Sequence, residues 1–291
     1  MSKLTLAHKT IGNCEIKADV YGDLAGPSRP VILWLHGGAL ILGRRDNLRR
    51  EQRDLYLGAG YTVVSIDYRL APETKLAAIV EDVEDAFRWV RAAGPELFRA
   101  DPDRIALVGH SAGGYLALTA GLVASPRPRA LVSFYGYGDI VGPWYSRPDP
   151  FYCRQPGVTA EEAWASVGTT VLSGTCEDEK RDRFYLYCRQ QGRWPNEVAG
   201  HDPDTEPEAF TWFCPVGNVT VEYPPTMLLH GDQDSDVPYQ QSVMMAEALA
   251  EAGVPHELIT IPGGEHGFDA GGGPAVDRVF QRVLAFLAKH V

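Results

Sequence analysis

The chain has 291 residues, 45% of them hydrophobic and 22% charged, a composition that reads as globular, with room for one large domain or a domain with a substantial insertion. A formal net charge of −11 argues against nucleic acid or an anionic membrane surface as the main partner. No apolar stretch is long enough to span a bilayer and the N-terminus, Met1-Ser2-Lys3-Leu4-Thr5, has no signal-peptide pattern, so a cytoplasmic location is expected.

In chain order, Leu4–Ile11 and Cys14–Tyr21 read as a hairpin around Gly12-Asn13. Pro30–Leu35 is a continuous apolar run that ends in His36-Gly37-Gly38, and Tyr61–Tyr68 is a second. Such runs suit strands buried on both faces of a parallel sheet. Between them, Leu48–Leu57 reads as a helix closed by Gly58-Ala59-Gly60. Leu76–Ala93 carries Ile79, Val80, Val83, Phe87 and Val90 at helical spacing, and Gly94-Pro95 is expected to stop it.

Arg104–Val108 is the next apolar run, and Gly109-His110-Ser111-Ala112-Gly113 follows it directly. The apolar segment Tyr115–Ala120 comes after, giving strand, tight turn and helix with a serine at the apex. In that context a G-x-S-x-G match marks a nucleophile, because the strained turn projects the hydroxyl beyond the sheet edge at a helix N-terminus. Ala130–Phe134 is another buried strand. Thr226–Leu229 leads into His230-Gly231-Asp232, Val243–Ala252 is helical, Glu257–Ile261 is a strand, and Ala275–His290 is the last helix. Strands that alternate with helices mean an α/β protein with a doubly wound, mostly parallel sheet.

Residues 139–221 break this rhythm. They lack clear strand runs and hold four of the six tryptophans, Trp144, Trp164, Trp194 and Trp212. We read them as an inserted, mainly helical cap over the sheet edge, with residues 1–138 and 222–291 as the core. The aromatic density suggests an apolar substrate cleft with Phe151, Tyr152, Trp164, Phe184, Tyr185, Trp194 and Phe213 as candidate lining residues, although the same rings would also suit the insertion's own core. The five cysteines, Cys14, Cys153, Cys176, Cys188 and Cys214, form no C-x-x-C pair and are read as free thiols, with a bridge among the last four left open.

A serine nucleophile needs a base and an acid that orients the base. In an open parallel sheet, functional groups gather at the C-terminal strand ends. His8, His201 and His290 lie away from such ends, and His256 precedes its strand. His266 follows the strand 257–261 through a Gly-rich loop and is the expected base. His36 and His230 are assigned to fixing their His-Gly turns, and His110 to packing. The loop 230–238 offers three carboxylates. Asp232 sits close to the strand end, Asp236 is placed to cap the next helix, and Asp234 lies mid-loop, free to reach His266. Asp234 is the expected acid. Backbone N–H groups of Gly38, Ala39 and Ala112 are the expected oxyanion donors.

These residues together resemble the α/β-hydrolase superfamily, and within it the hormone-sensitive-lipase-type esterases and carboxylesterases. The matching stretches are His36-Gly37-Gly38, Asp67-Tyr68-Arg69-Leu70-Ala71-Pro72-Glu73, Gly109-His110-Ser111-Ala112-Gly113-Gly114, His230-Gly231-x-x-Asp234-x-x-Val237-Pro238 and His266-Gly267-Phe268. Two departures stand out. The usual His-Gly-Gly-Gly is His36-Gly37-Gly38-Ala39 here, and the frequent Asp before the nucleophile is His110. The resemblance implies an α/β-hydrolase fold and a serine esterase that needs no metal or cofactor and acts on a small-molecule ester. Amide or peptide hydrolysis on the same triad and a non-catalytic ligand receptor are the competing readings, and the oligomeric state is open.

Overall fold

Eight strands form one sheet in the spatial order β1-β2-β4-β3-β5-β6-β7-β8 in the computed structural model, which describes residues 2–175 and 178–291. The strands are β1 (Ser2–Ile11), β2 (Cys14–Gly22), β3 (Arg29–Leu35), β4 (Thr62–Ile66), β5 (Ala100–His110), β6 (Ala130–Phe134), β7 (Thr226–Gly231) and β8 (His256–Ile261). The core helices are α1 (Arg50–Gly58), α2 (Leu76–Phe98), α3 (Ala112–Val123), α8 (Gln240–Glu251) and α9 (Pro274–His290). Four more, α4 (Pro143–Ser146), α5 (Ala160–Trp164), α6 (Asp178–Gln191) and α7 (Trp194–Ala199), lie within residues 139–221. β1 and β2 pair antiparallel, as do β2 and β4, and every pair from β4 to β8 is parallel. This is the α/β-hydrolase architecture.

The period-2 alternation of strand side chains divides the core. Leu33 and Leu35 of β3 join Val64 and Ile66 of β4 in a cluster on one face, with α2 and α3. Ile32 and Trp34 join Val63, Ala106 and Val108 on the other, with Tyr56 of α1 and Val283, Phe286 and Leu287 of α9. From Val31 to Leu35 every β3 side chain is buried, so the apolar run needs no polar alternation.

The expected end of the helix that starts at Leu76 is wrong. Helix α2 does not stop at Gly94-Pro95 but runs through Pro95 to Phe98. Proline lacks the N–H for one helical bond, a local cost. Burial of Phe98 and a left-handed cap at Arg99, whose N–H bonds the Gly94 carbonyl, favour continuation. β5 also begins before its apolar run, at Ala100, and α8 begins at Gln240 rather than Val243.

Among the described residues, the buried apolar side chains of the segment 139–221 share the hydrophobic core of the sheet. Phe184, Cys188, Trp194, Val198 and Phe210 belong to the same buried cluster as Leu35, Tyr68 and Tyr115. Polar contacts pin it as well: Arg181 bonds the Ile41 and Ala71 carbonyls and forms a buried ion pair with Glu73. Cys14, Cys153, Cys188 and Cys214 are free thiols, while Cys176 lies outside the described residues. Among the described residues, no helix is long and apolar enough to cross a membrane.

Candidate functional site

Because β3 and β5 to β8 are parallel, the turns at their C-terminal ends share one sheet edge. Ser111 lies just past β5, with φ 54° and ψ −120°, a conformation that costs a non-glycine residue of the order of 1–3 kcal/mol. The surroundings hold it there: its N–H donates to the Phe134 carbonyl at 2.8 Å, and α3 starts at the next residue. Close backbone contact explains the flanking glycine, since a Cβ on Gly113 would stand 2.2 Å from the Leu35 carbonyl oxygen.

The loops after β7 and β8 are laced together. Gln233 N–H donates to the Gly264 carbonyl at 3.0 Å, and Gly263 N–H to Asp232 Oδ1 at 2.7 Å. A Cβ on Gly231 would meet the Gly264 oxygen at 2.1 Å, so glycine permits this approach. The lacing sets His266 Nδ1 2.8 Å from Asp234 Oδ2. Asp234 Oδ1 accepts from the N–H groups of Asp236 and Val237 at 2.9 and 2.8 Å, which fixes the carboxylate plane. Burial disfavours the Asp234 charge, but the hydrogen bonds from His230 and His266 outweigh it and hold the carboxyl far below its usual range. Burial likewise favours neutral His266, but the Asp236 and Asp234 carboxylates prevail and raise its pKa.

The turn after β3 carries Gly38 at φ 111° and Ala39 at φ 53°. The Gly38 carbonyl accepts from Ile41 and Leu42, and the Ala39 carbonyl from the Trp194 indole at 3.0 Å. Ala112 opens α3, so its N–H has no partner within the helix.

Ser111, His266, Gly38 and Ala39 line one cavity of about 420 Å³, together with Trp34, Gln52 and His110. A larger groove of about 620 Å³ lies along β8 and α9 and holds none of these groups. Of the seven aromatic candidates, only Tyr185 lines the Ser111 cavity. Phe184 and Trp194 are fully buried in the shared core, Phe151 and Trp164 are on the surface, and Phe213 packs against the core, its carbonyl taking the Tyr115 hydroxyl. Tyr152 lines a separate small cleft. For the candidates other than Tyr185, aromatic density reported packing or surface position, not lining of this cavity.

Asp236 does not cap α8, whose N-terminus has no side-chain cap. Its Oδ1 instead accepts from Tyr152, Tyr185 and Arg189 at 2.8, 2.6 and 2.7 Å, and its Oδ2 lies 3.4 Å from His266 Nε2.

Three further residues support the site: His230, read from its His-Gly turn, and Tyr135 and Asp269, which carry no local sequence signal. His230 Nε2 faces Val237 O at 3.0 Å and Asp234 Oδ2 at 3.2 Å, two acceptors that place a proton on Nε2, and Nδ1 is hydrogen-bonded to the Ser242 hydroxyl at 2.7 Å. Tyr135, at φ 39°, sets its ring edge-on to His266 at 4.6 Å and donates its hydroxyl to Asp269 at 2.8 Å. Buried Asp269 in turn pairs with Arg49 and faces His110 Nε2 at 3.3 Å. Burial, with the Arg49 and His266 charges nearby, pushes the His110 pKa down to about 3, so it stays neutral. Its ring stacks on Phe134, consistent with packing. Among the described residues, no group of three or more His, Cys, Asp or Glu is placed to hold a metal ion.

Known proteins share this frame. Non-reducing polyketide synthase ausA of Aspergillus calidoustus is 31% identical over 95% of this chain, and non-reducing polyketide synthase Preu3 of Preussia isomera is 30% identical over 92%. The chain spans only 14% and 13% of those proteins. A protein of unknown function from Staphylococcus aureus superposes with a TM-score of 0.81 at 22% identity, over 99% of both chains. A thermophilic esterase from Thermogutta terrifontis superposes with a TM-score of 0.69 at 23% identity, over 99% of this chain and 92% of its own. A family model described as alpha/beta hydrolase fold matches residues 32–270, and the chain belongs to that family.

Proposed function

We propose that this protein is a serine hydrolase that cleaves carboxylic esters through an acyl-enzyme. The observation that carries this reading is the His266–Asp234 pair at 2.8 Å, in a loop system that sets His266 on the same cavity as the strained Ser111 and the 38–39 turn. In this reading Ser111 Oγ attacks the acyl carbonyl carbon while His266 Nε2 takes its proton. Asp234, ionised and fixed by two backbone N–H groups, keeps the proton on Nδ1 and stabilises the imidazolium. The N–H groups of Gly38, Ala39 and Ala112 receive the negative charge on the carbonyl oxygen. Collapse of the tetrahedral intermediate breaks the bond to the alcohol, and His266 protonates the departing oxygen. Water then attacks the acyl-serine with His266 again as base, which releases the acid and restores the serine.

The likeness to esterases supports the ester as substrate, and the cavity suits a small molecule. Hydrolysis of 4-nitrophenyl butyrate by the wild type, and its loss in Ser111→Ala with an unchanged melting curve, tests the reading. Undiminished hydrolysis by Ser111→Ala overturns it. The polyketide synthase segments favour a second reading on the same residues, in which the acyl group is a polyketide. Faster hydrolysis of a 3-oxo acyl ester than of its straight-chain counterpart supports that version.

A further inference from the structure

We propose that Asp236 is a specificity residue that selects esters whose alcohol carries a hydroxyl group on the carbon next to the ester-bearing one. This rests on the ester-hydrolase reading above and adds the class of alcohol.

The two oxygens of this carboxylate are treated very differently. Oδ1 accepts from the Tyr152 hydroxyl, the Tyr185 hydroxyl and Arg189. Arg189 also bonds the Asp236 carbonyl at 3.1 Å and Asp149 at 2.7 Å. Its side chain is fully buried, with the rings of Trp144, Tyr145, Tyr152 and Tyr185 around the guanidinium. The carboxylate therefore cannot turn. Oδ2 has no such clamp: the contact given for it is His266 Nε2 at 3.4 Å, a pair that forms only while His266 is protonated, and Asp236 is part of the cavity wall.

Asp234 already orients His266, and favouring the imidazolium needs only a negative charge nearby, not an oxygen clamped in one position. A buried arginine and two tyrosines spent on holding a second carboxylate are a costly arrangement. Its position gives the purpose. His266 Nε2 hands its proton to the leaving oxygen, so an oxygen 3.4 Å from Nε2 borders the leaving alcohol. An ionised carboxylate only accepts hydrogen bonds. An apolar alcohol would cover Oδ2 and leave it unpaired, whereas a neighbouring hydroxyl would donate to it. An anionic alcohol is disfavoured, since Asp149 and Asp236 together outweigh the charge of Arg189. A cationic alcohol would oppose the imidazolium that forms at His266.

The test compares 2-hydroxyethyl butyrate with propyl butyrate, which has a methyl in place of the hydroxyl, by titrating released acid. Each kcat/KM is divided by the alkaline hydrolysis rate of that ester. The wild type is expected to prefer the hydroxyethyl ester about tenfold, the worth of a hydrogen bond to a charged acceptor. Asp236→Asn, which can keep an oxygen toward Arg189 and turn an amide N–H toward the cavity, replaces the charged acceptor by a neutral partner that the hydroxyl can still meet, and should lower the ratio to about three. Because the ratio is taken within one variant, an effect on His266 common to both esters cancels. Tyr152→Phe, which loosens the Oδ1 clamp, should lower the ratio as well, and serves if Asp236→Asn does not fold. A wild-type ratio of one, or a ratio unmoved in the folded variants, overturns the proposal. Ser111→Ala separates the two ideas: butyrate hydrolysis that survives it defeats the ester-hydrolase reading itself. Serine-dependent hydrolysis without alcohol preference defeats only the role of Asp236.

Discussion

The indole nitrogen of Trp194 donates to the Ala39 carbonyl at 3.0 Å across 155 residues of sequence. Helix α7 thus holds the turn that lines the same cavity as Ser111. Trp194→Phe keeps most of the packing and removes the donor. We expect kcat on 4-nitrophenyl butyrate to fall about tenfold with KM nearly unchanged, a fraction of the effect of losing an oxyanion donor outright. The Ala39 carbonyl left unpaired should lower stability by about 1–3 kcal/mol in urea unfolding. An unchanged kcat would separate the turn from catalysis.

Asp234 serves two imidazoles, His266 at 2.8 Å and His230 at 3.2 Å. Asp234→Asn presents either an amide N–H or a neutral oxygen to His266 Nδ1, and the wrong tautomer becomes accessible. We expect kcat to fall by a factor on the order of 10⁴ at neutral pH. The measurement is single-turnover hydrolysis compared with Ser111→Ala as the floor. A loss under tenfold would mean that Asp234 does not orient the base.

The fold was legible because its signals are local. Val31–Leu35 and Thr62–Ile66 are buried on both faces, and a strand in that setting must be apolar throughout. The rule that chemistry gathers at strand ends put Ser111, Asp234 and His266 on one edge, and the structure brings Asp234 and His266 into contact there. What escaped depends on partners distant in sequence. Asp236 is taken by Arg189, 47 residues away, and Tyr135 by Asp269, 134 residues away. No spacing rule reports such pairs, so an acidic residue before Val237-Pro238 read as a helix cap. Tyr185 lines the Ser111 cavity, and the other aromatic candidates miss it for a related reason: a ring at 184 or 194 has the same composition whether it faces a ligand or the core.

The pH dependence follows from the groups around His266. Asp234 and Asp236 raise its pKa, while burial and Arg189 oppose them. His110 is neutral and adds no charge there. The base must be neutral to take the serine proton, so kcat/KM should rise with pH through a midpoint above the ordinary histidine value of about 6.5. Asp236→Asn removes one negative charge, which lowers the His266 pKa and moves the acidic limb to lower pH. A pH profile of 4-nitrophenyl butyrate hydrolysis in both proteins checks this, and a limb that stays in place or moves upward contradicts it.

Arg189 offers a test of how the inserted segment is held. Its guanidinium pairs at 2.7 Å with both Asp149 and Asp236, and its side chain is fully excluded from solvent. Removing one partner of a buried ion pair typically costs about 3–5 kcal/mol, chiefly because the remaining charge is left without compensation. Arg189→Met keeps much of the aliphatic volume and strands two carboxylates beside four aromatic rings, so a loss in that range is expected in urea unfolding. Adding Asp149→Asn and Asp236→Asn should then recover part of the loss, because the stranded charges are gone. If Arg189→Met costs under about 1 kcal/mol, the pair behaves as a solvent-screened surface contact. Additive losses in the triple variant would instead place the stabilisation in the ring stack around the guanidinium rather than in the charge pairing.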